Sequence, residues 1–213
     1  FVSVLVAVSA VLSALGFKGR VEVIGVDLGT TYSVAAVSEK GRVRVFEDPV
    51  RGKLTASTVA FLQDGGVLVG NAAKRHALKD PKNVIYDAKR FIGRKYDDPT
   101  VAEQAKKYAF AVVENTTTHD AAFRVHGRTI APSEVGAEVG KARLKTVNED
   151  LGHENVKRAV IAVPASFGAA QTAATGEAFK AAGLRVARVM PEPVAAAVAY
   201  GLHKKENVHH ILV

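Results

Sequence analysis

The residues with the clearest chemical potential lie in a ten-residue stretch, residues 24–33, where an apolar segment runs into Asp27 and turns at Gly29. Glycine can take positive φ without steric cost, so the main chain can fold tightly and aim successive N–H groups at a phosphate. A carboxylate at the end of the apolar segment can reach a hydrated divalent cation that bridges phosphate oxygens. The spacing matches neither the Walker loop nor the dinucleotide-binding motif, and an ordinary hairpin turn is the competing interpretation.

Three further segments have compositions that fit the same kind of site. They are Tyr-Asp-Ala-Lys-Arg-Phe-Ile-Gly-Arg at 86–94, Val-Ile-Ala-Val-Pro-Ala at 160–165, and Glu-Pro-Val-Ala-Ala-Ala-Val-Ala-Tyr-Gly at 192–201. Together with the first stretch, and in this order, they resemble segments of the 70-kDa heat-shock (DnaK-type) chaperones. A small-molecule kinase of the same actin-like superfamily would share only the first motif. The resemblance spans residues 21–213 and implies an α/β fold: an actin-like (ribonuclease H-like) ATPase lobe I, with a mixed sheet, packed helices and a small α+β subdomain.

The resemblance implies a role for each polar residue of these segments. It implies that ATP or ADP binds with Mg²⁺, with K⁺ as a compatible additional ion. The implied catalytic residues are Lys89, which reaches the γ-phosphate and positions the attacking water, and Asp27 and Glu192, which hold the metal through water. Pro164 matches a switch proline that couples the nucleotide site to the exterior. Taken alone, Lys89 would be interpreted as a solvated surface lysine, and only the surrounding motif favours the catalytic role. The implied nucleotide-binding residues are Gly29, Thr30, Thr31 and Tyr32.

Three positions depart from the family pattern. Thr172 stands where an arginine usually works with the switch proline, Ala169 replaces an acidic neighbour, and Pro191 replaces an asparagine. A relay built on charged hydrogen bonds cannot run through Thr and Ala in the same way. These departures favour an alternative function, a non-enzymatic, nucleotide-responsive interaction module that docks cochaperones. A J-domain cochaperone, contacted through the position of Arg188, and a nucleotide-exchange factor are the implied partners.

The resemblance also predicts how the chain is divided. Residues 21–55 and 133–213 are expected to form a base subdomain, and residues 56–132 a small subdomain above a cleft. In the family a second lobe closes over the nucleotide, and unfolded-protein clients bind to parts that these 213 residues do not include. Because closure orients the attacking water, we expect the 213 residues on their own to bind ATP weakly and not to turn it over.

The amino-acid composition limits the kinds of partner and ligand that the chain is expected to bind. The net charge is +8, but the basic residues are scattered and not interleaved with aromatic residues, so nucleic-acid binding is not predicted. The chain has no cysteine, which excludes disulfides and thiolate metal sites. The seven histidines form no H-E-x-x-H or similar motif, so each is interpreted as a surface or core histidine.

The first residues of the chain give an indication of its cellular compartment. Residues 1–20 begin with the uncharged, apolar segment Phe1–Phe17 and fit a signal peptide or a signal anchor, which would be the only membrane contact, with a buried core element as the third interpretation. Residues 85–93 and 200–204 are most similar to a compact, microsome-associated branch of the family. The expected location is therefore the endoplasmic reticulum or microsomes, and the cytoplasm if the leader is not a signal. Asn115-Thr116-Thr117 is a glycosylation sequon that only a secretory chain could use.

Hydrophobic periodicity predicts the elements that must position these groups. A three-strand meander over residues 21–47 is expected to carry the phosphate turn. Ser133 is expected to cap a long amphipathic helix that ends near Gly152. The other expected elements are a hairpin formed by 58–62 and 67–69, a helix at 71–78 capped by Asn71, a short helix or turn at 82–94, a helix at 99–107, paired strands at 110–113 and 122–125, a buried strand at 158–163, a helix at 169–182, a strand at 184–190, a helix at 193–202 and a strand at 209–213.

Overall fold

The computed structural model describes residues 23–39, 41–47, 52–204, 206 and 210–213. The expected leader lies outside these residues. Within them, no helix is long and apolar enough to cross a membrane. The expected strand over residues 209–213 is wrong for its last four positions, which have no regular secondary structure, and His209 lies outside the described part.

The described residues form twelve strands and five α-helices, numbered here in chain order. The strands are β1 (Val23–Leu28), β2 (Tyr32–Glu39), β3 (Arg42–Val45), β4 (Thr55–Ala56), β5 (Thr58–Phe61), β6 (Val67–Val69), β7 (Val84–Tyr86), β8 (Ala111–Glu114), β9 (Ala121–Val125), β10 (Arg128–Ile130), β11 (Arg158–Val163) and β12 (Arg185–Pro191). The helices are α1 (Asn71–His76), α2 (Pro99–Ala105), α3 (Pro132–Leu151), α4 (Ala169–Ala181) and α5 (Glu192–Ala199), with short 3₁₀ turns at Pro81–Asn83, Ala88–Arg90 and Leu202–Lys204.

A mixed six-stranded sheet carries the phosphate turn. The expected meander is confirmed, because β1, β2 and β3 follow one another in antiparallel order. Strands β11 and β12 extend the sheet on the other side of β1, and both run parallel to it. The order is β12-β11-β1-β2-β3, with β4 paired to β2. This arrangement confirms the predicted α/β fold with a mixed sheet.

Alternating side chains fix which face of the sheet is buried. Along β1, Ile24, Val26 and Leu28 are buried while the residues between them are more exposed. This period of two is the signature of a strand with one face against the core. Leu28 reaches Gly136 of α3, where an added Cβ would lie 3.1 Å from its Cδ2 atom. The sheet face that carries Leu28 is thereby packed against a helix directly beneath the phosphate turn.

Helices α3 and α4 pack closely against each other through small residues. A Cβ on Gly140 of α3 would lie only 2.8 Å from the Cβ of Ala182, just beyond α4. The expectation that Ser133 caps α3 is wrong: the helix begins one residue earlier, at Pro132, a residue that suits the first helical position. The main-chain N–H of Ala131 donates instead to Oε1 of Glu134 at 2.8 Å.

Two three-stranded sheets, β6-β5-β7 and β10-β9-β8, lie between β4 and α3 in the chain. The β7 strand was not predicted, because residues 82–94 were expected to form a helix or turn. It has only three residues and is stabilised by pairing with the distant β5. A cluster of aromatic rings with centroids 4.7–5.6 Å apart joins the segment after β7 to the second sheet, and consists of Tyr86, Phe91, Tyr108, Phe110 and Phe123.

Gly93 fixes the segment after β7 against helix α4. A Cβ at this position would lie 2.6 Å from Cα of Gln171 and 2.7 Å from the carbonyl oxygen of Ala170, and φ is +63°. We expect Gly93→Ala to lower the free energy of unfolding by about 2–5 kcal/mol, from left-handed strain plus overpacking. Gly152→Ala is the matched control, since φ is +67° there but no atom lies within 4 Å.

Chemical denaturation of the two variants separates these contributions. Gly152→Ala should cost only the strain, about 1 kcal/mol. Equal losses for the two variants would show that the contact between Gly93 and α4 is not tight in solution.

Candidate functional site

Three predicted site residues lie at or just beyond the carboxyl ends of neighbouring parallel strands, at one edge of the large sheet. Asp27 is the penultimate residue of β1 and pairs with Ala162 of β11. Pro164 directly follows β11, and Glu192 directly follows β12. Because the carboxyl ends of parallel strands meet at the same edge, the fold brings these residues together where open α/β sheets bind ligands.

The turn at Gly29 is tight for a different reason from the one expected. Gly29 does not take positive φ, so that expectation is wrong. Instead, a Cβ on Gly29 would overlap the carbonyl oxygen of Tyr32. Only glycine allows this approach of the main chain to itself. Among the residues that the structure describes, the N–H groups of Gly29, Thr30 and Thr31 have no hydrogen-bond acceptor, which leaves them able to bind an anion.

Neighbouring strands hold this turn in place. The carbonyl oxygen of Thr31 accepts a hydrogen bond from the N–H of Ser57 at 2.9 Å. Strand β4 is held in turn by α3, because the buried guanidinium of Arg143 donates to Oγ1 of Thr55 at 3.1 Å and to the carbonyl oxygen of Phe46 at 3.0 Å. The turn is therefore attached to the sheet and to the long helix.

Lys89 points toward the same sheet edge. It lies on the 3₁₀ turn after β7, and its Nζ donates to Oε1 of Glu192 at 2.7 Å. Only 11% of the Lys89 side chain is exposed, against 38% for Glu192. Nζ also lies 5.9 Å from the centre of the Phe167 ring. Gly29 and Lys89 line one narrow cavity, so the ammonium group and the turn converge although 60 positions separate them in the chain.

The negative charge of Asp27 is poorly compensated in this arrangement. Burial raises the pKa of Asp27, the charge of Lys89 opposes that shift, and Glu192 adds to it. Oδ1 of Asp27 is buried and has no hydrogen-bond donor among the described residues. Leaving a buried carboxylate oxygen unpaired is costly, so a cationic or water ligand here would relieve the cost.

The residues present fit a hydrated Mg²⁺ ion. Mg²⁺ keeps several of its waters and is held by one or two carboxylates plus phosphate oxygens. Asp27 offers an unpaired oxygen, and Glu192 lies at the same edge of the sheet. Among the described residues, no three His, Asp or Glu side chains come together to hold a metal directly.

A cavity of about 310 Å³ extends from this edge along the 3₁₀ turn. Thr30, Lys89 and Pro164 all line it, so the turn, the lysine and the switch-proline candidate face one space. Its wall also includes the cationic side chains of Arg90 and Arg94 and contains no carboxylate. Its volume is at the lower end of the range for small-molecule sites. The three cations attract a polyanion, but each already pairs with a carboxylate: Lys89 with Glu192, Arg90 with Asp87 and Arg94 with Asp98. A polyanion that enters the cavity would compete with these carboxylates.

A second cavity, of about 300 Å³, shares Thr30 with the first. Thr30 and Thr31 line it together with Lys74 of α1. Nζ of Lys74 lies 4.7 Å from the centre of the Tyr32 ring and 3.5 Å from its hydroxyl oxygen. This cation–π contact fixes the half-exposed Tyr32 ring against α1.

Four residues near the turn were not predicted as site residues from the sequence: Lys74, Arg90, Arg94 and Phe167. Arg90 and Arg94 lie within the motif that identified Lys89, and that motif was the available signal for them. Lys74 belongs to no motif and gave no signal. The predicted residues Asp27, Lys89 and Glu192 come together beside the Gly29 turn, and their roles in binding and hydrolysis stay predictions.

The fold and the site together define one lobe of an actin-like ATPase. The family model described as Hsp70 protein matches residues 23–213. The chain therefore belongs to the Hsp70 family, and the resemblance noted in the sequence is confirmed at that level. It carries part of a chaperone ATPase domain; members of this family bind ATP and ADP with Mg²⁺ and work with cochaperones and clients.

Proposed function

We propose that these residues form the phosphate-binding half of a site that hydrolyses ATP to ADP and phosphate. The observation that supports this most directly is the convergence of Asp27, Lys89 and Glu192 beside the Gly29 turn. These three side chains come from segments far apart in the sequence. A structural ion pair alone would not explain why a carboxylate oxygen and main-chain N–H groups that have no partner among the described residues lie at the same edge.

The chain's own groups divide the work of binding. The N–H groups of residues 29–31 and the hydroxyl of Thr30 bind the terminal phosphates, and the charges of Lys89, Arg90 and Arg94 attract them. Asp27 and Glu192 accept hydrogen bonds from metal-bound water. When bound, Mg²⁺ neutralises charge on the phosphate oxygens.

Lys89 has to take a second partner during this process. In the structure its ammonium group is bonded to Glu192 at 2.7 Å. An incoming γ-phosphate can bond to the same ammonium group, because its three N–H groups allow both contacts at once. Lys89 then orients the attacking water and stabilises the charge on the transferred phosphoryl group.

One observation supports the alternative function, a non-enzymatic, nucleotide-responsive interaction module. Helix α4 begins with no charged residue in its first turn, and Thr172 and Ala169 occupy positions where the family resemblance implies an arginine and an acid. Pro164 and Gln171 line the cavity that contains Lys89, which supports communication between nucleotide and α4 by packing. Such communication by packing would be sufficient for a protein that binds nucleotide without efficient turnover and docks a J-domain cochaperone or an exchange factor.

We further propose a location in the secretory pathway. The resemblance of residues 85–93 and 200–204 to the microsome-associated stress-70 ATPase-core protein, and the apolar residues 1–20, support the endoplasmic reticulum. A cytoplasmic location is the alternative if residues 1–20 are not a signal. Fractionation of cells that express the chain, with protease protection of the membrane fraction, distinguishes the two.

Calorimetric titration with ATP and ADP tests the function. We expect the 213 residues to bind both weakly, with affinity that falls when Mg²⁺ is chelated, and to release no phosphate. The complete ATPase domain is expected to bind more tightly and to turn over. Binding without turnover by the complete domain would favour the interaction module. Absence of nucleotide binding by both would contradict the proposed site.

A further inference from the structure

The hairpin that joins β8 to β9 presents Asn115 of the Asn-Thr-Thr triplet in a defined turn. The main-chain N–H of Asn115 donates to the carbonyl oxygen of Asp120 at 2.9 Å, and its carbonyl oxygen accepts from His119 at 2.7 Å. The side-chain Oδ1 accepts from the N–H of Thr117 at 3.0 Å and of Thr118 at 3.3 Å. Every polar atom of Asn115 except Nδ2 therefore has a partner.

The remaining atom, Nδ2, has no hydrogen-bond acceptor among the described residues, and Asn115 as a whole is half-buried. The four residues that follow Asn115 in the turn are all exposed. The turn engages Oδ1 through the N–H groups of Thr117 and Thr118 and leaves Nδ2 without a bond. Nδ2 is also the atom that N-glycosylation modifies, and acceptor triplets are used in surface loops.

The base of the hairpin is fastened independently of Nδ2. Nζ of Lys95 donates to the carbonyl oxygen of Thr118 at 2.7 Å and pairs with Asp120 at 2.8 Å. Nδ1 of His119 lies 2.6 Å from Oε1 of Glu114. None of the hairpin residues lines either cavity at the phosphate turn. A group attached to Nδ2 would therefore replace none of the hydrogen bonds that hold the hairpin, and it would lie beside the exposed residues 116–119.

From this geometry we propose that Asn115 is an N-glycosylation site, and this rests on the proposed secretory location. The co-reactant is an oligosaccharide linked to a lipid through pyrophosphate. A bond forms between Nδ2 and the anomeric carbon, the bond from that carbon to the pyrophosphate oxygen breaks, and the leaving pyrophosphate takes the proton lost from Nδ2. Oxidation states do not change, and Thr117 supplies the hydroxyl that the triplet requires.

Translation of the whole chain with endoplasmic-reticulum microsomes tests the proposal. We expect one slower-migrating product, and its mobility shift should be lost on treatment with an amide-cleaving glycosidase. Asn115→Asp and Thr117→Ala should both abolish the shift. The first keeps an Oδ1 acceptor for the turn, and the second keeps the main-chain N–H that donates to it. Thr116→Ala preserves the triplet and should leave the shift unchanged.

A control separates the site from the location. The same chain carrying a C-terminal tag with its own Asn-x-Thr triplet reports whether the chain enters the microsome. Modification of the tag without modification of Asn115 would overturn the glycosylation site and retain the location. Modification of neither would overturn both, whereas the nucleotide titration above would still stand.

Discussion

Replacing Lys89 by alanine in the complete ATPase domain is expected to lower the rate of ATP hydrolysis by at least about 100-fold and to change ATP affinity by less than about tenfold. Lys89 carries the only ammonium group that both lies within hydrogen-bond distance of Glu192 and lines the cavity next to Thr30, as far as the described residues show. The alanine substitution removes a positive charge that stabilises the transition state of phosphoryl transfer more than it stabilises bound ATP. Binding would still be supported by the main-chain N–H groups of the turn.

Single-turnover measurements with radiolabelled ATP, together with equilibrium binding, check this split. Lys95→Ala is the matched control, because Lys95 is 61% exposed, pairs with Asp120 and lies on the hairpin side of the molecule. It should hydrolyse ATP at the unaltered rate. Full turnover by Lys89→Ala would remove Lys89 from the mechanism and leave its pairing with Glu192 as a structural feature. A large loss of affinity with unchanged turnover of bound ATP would assign Lys89 to binding alone.

Gly29→Ala is expected to reduce turnover by about 100-fold, since a displacement of the turn by about 1 Å is enough to misplace a reacting phosphate. The added methyl group would overlap the carbonyl oxygen of Tyr32, so the turn has to open. ATP affinity should fall as well, because the N–H groups of residues 29–31 are carried by the part of the chain that moves. The free energy of unfolding should decrease by about 1–3 kcal/mol from overpacking.

Gly25→Ala is the control for this change. Gly25 lies on β1, the strand that leads into the turn, but a Cβ there would be 3.8 Å from the carbonyl oxygen of Ala36, an ordinary contact. Both variants add one methyl group to β1 or its turn, and only one should affect the nucleotide. Thermal unfolding with and without Mg-ATP reports folding and binding in one experiment. If Gly29→Ala retained a full ATP-dependent stabilisation, the turn would not be the phosphate site.

The parts of the fold that the sequence predicted are those whose signals are local. Ile24, Val26 and Leu28 alternate with more exposed residues, so β1 could be read from periodicity. Strand β7 could not, because three residues give too short a pattern and its stability comes from pairing with β5. The cap of α3 was misplaced by two residues, because Ser133 is a good cap by type whereas Ala131 caps the helix and Pro132 fits the first turn.

The site shows the same division between local and tertiary information. Gly29 was correctly singled out, but for its φ angle, whereas the structure requires glycine because of the carbonyl oxygen of Tyr32. A distance between main-chain atoms across a turn is not encoded in residue types. Lys89 was found only through its motif, and Lys74, which contacts Tyr32, was not found at all. Cations are common on surfaces, so only their neighbours in space distinguish them.

The contact between Gly93 and the start of α4 has a mechanical consequence. Main-chain atoms that lie this close cannot slide past each other, so a shift of the segment that carries Lys89 must be shared by the helix that follows Pro164. Steric contact alone would then transmit movement from the γ-phosphate to the outer surface. No charged relay is needed at the start of α4, where Thr172 and Ala169 are uncharged.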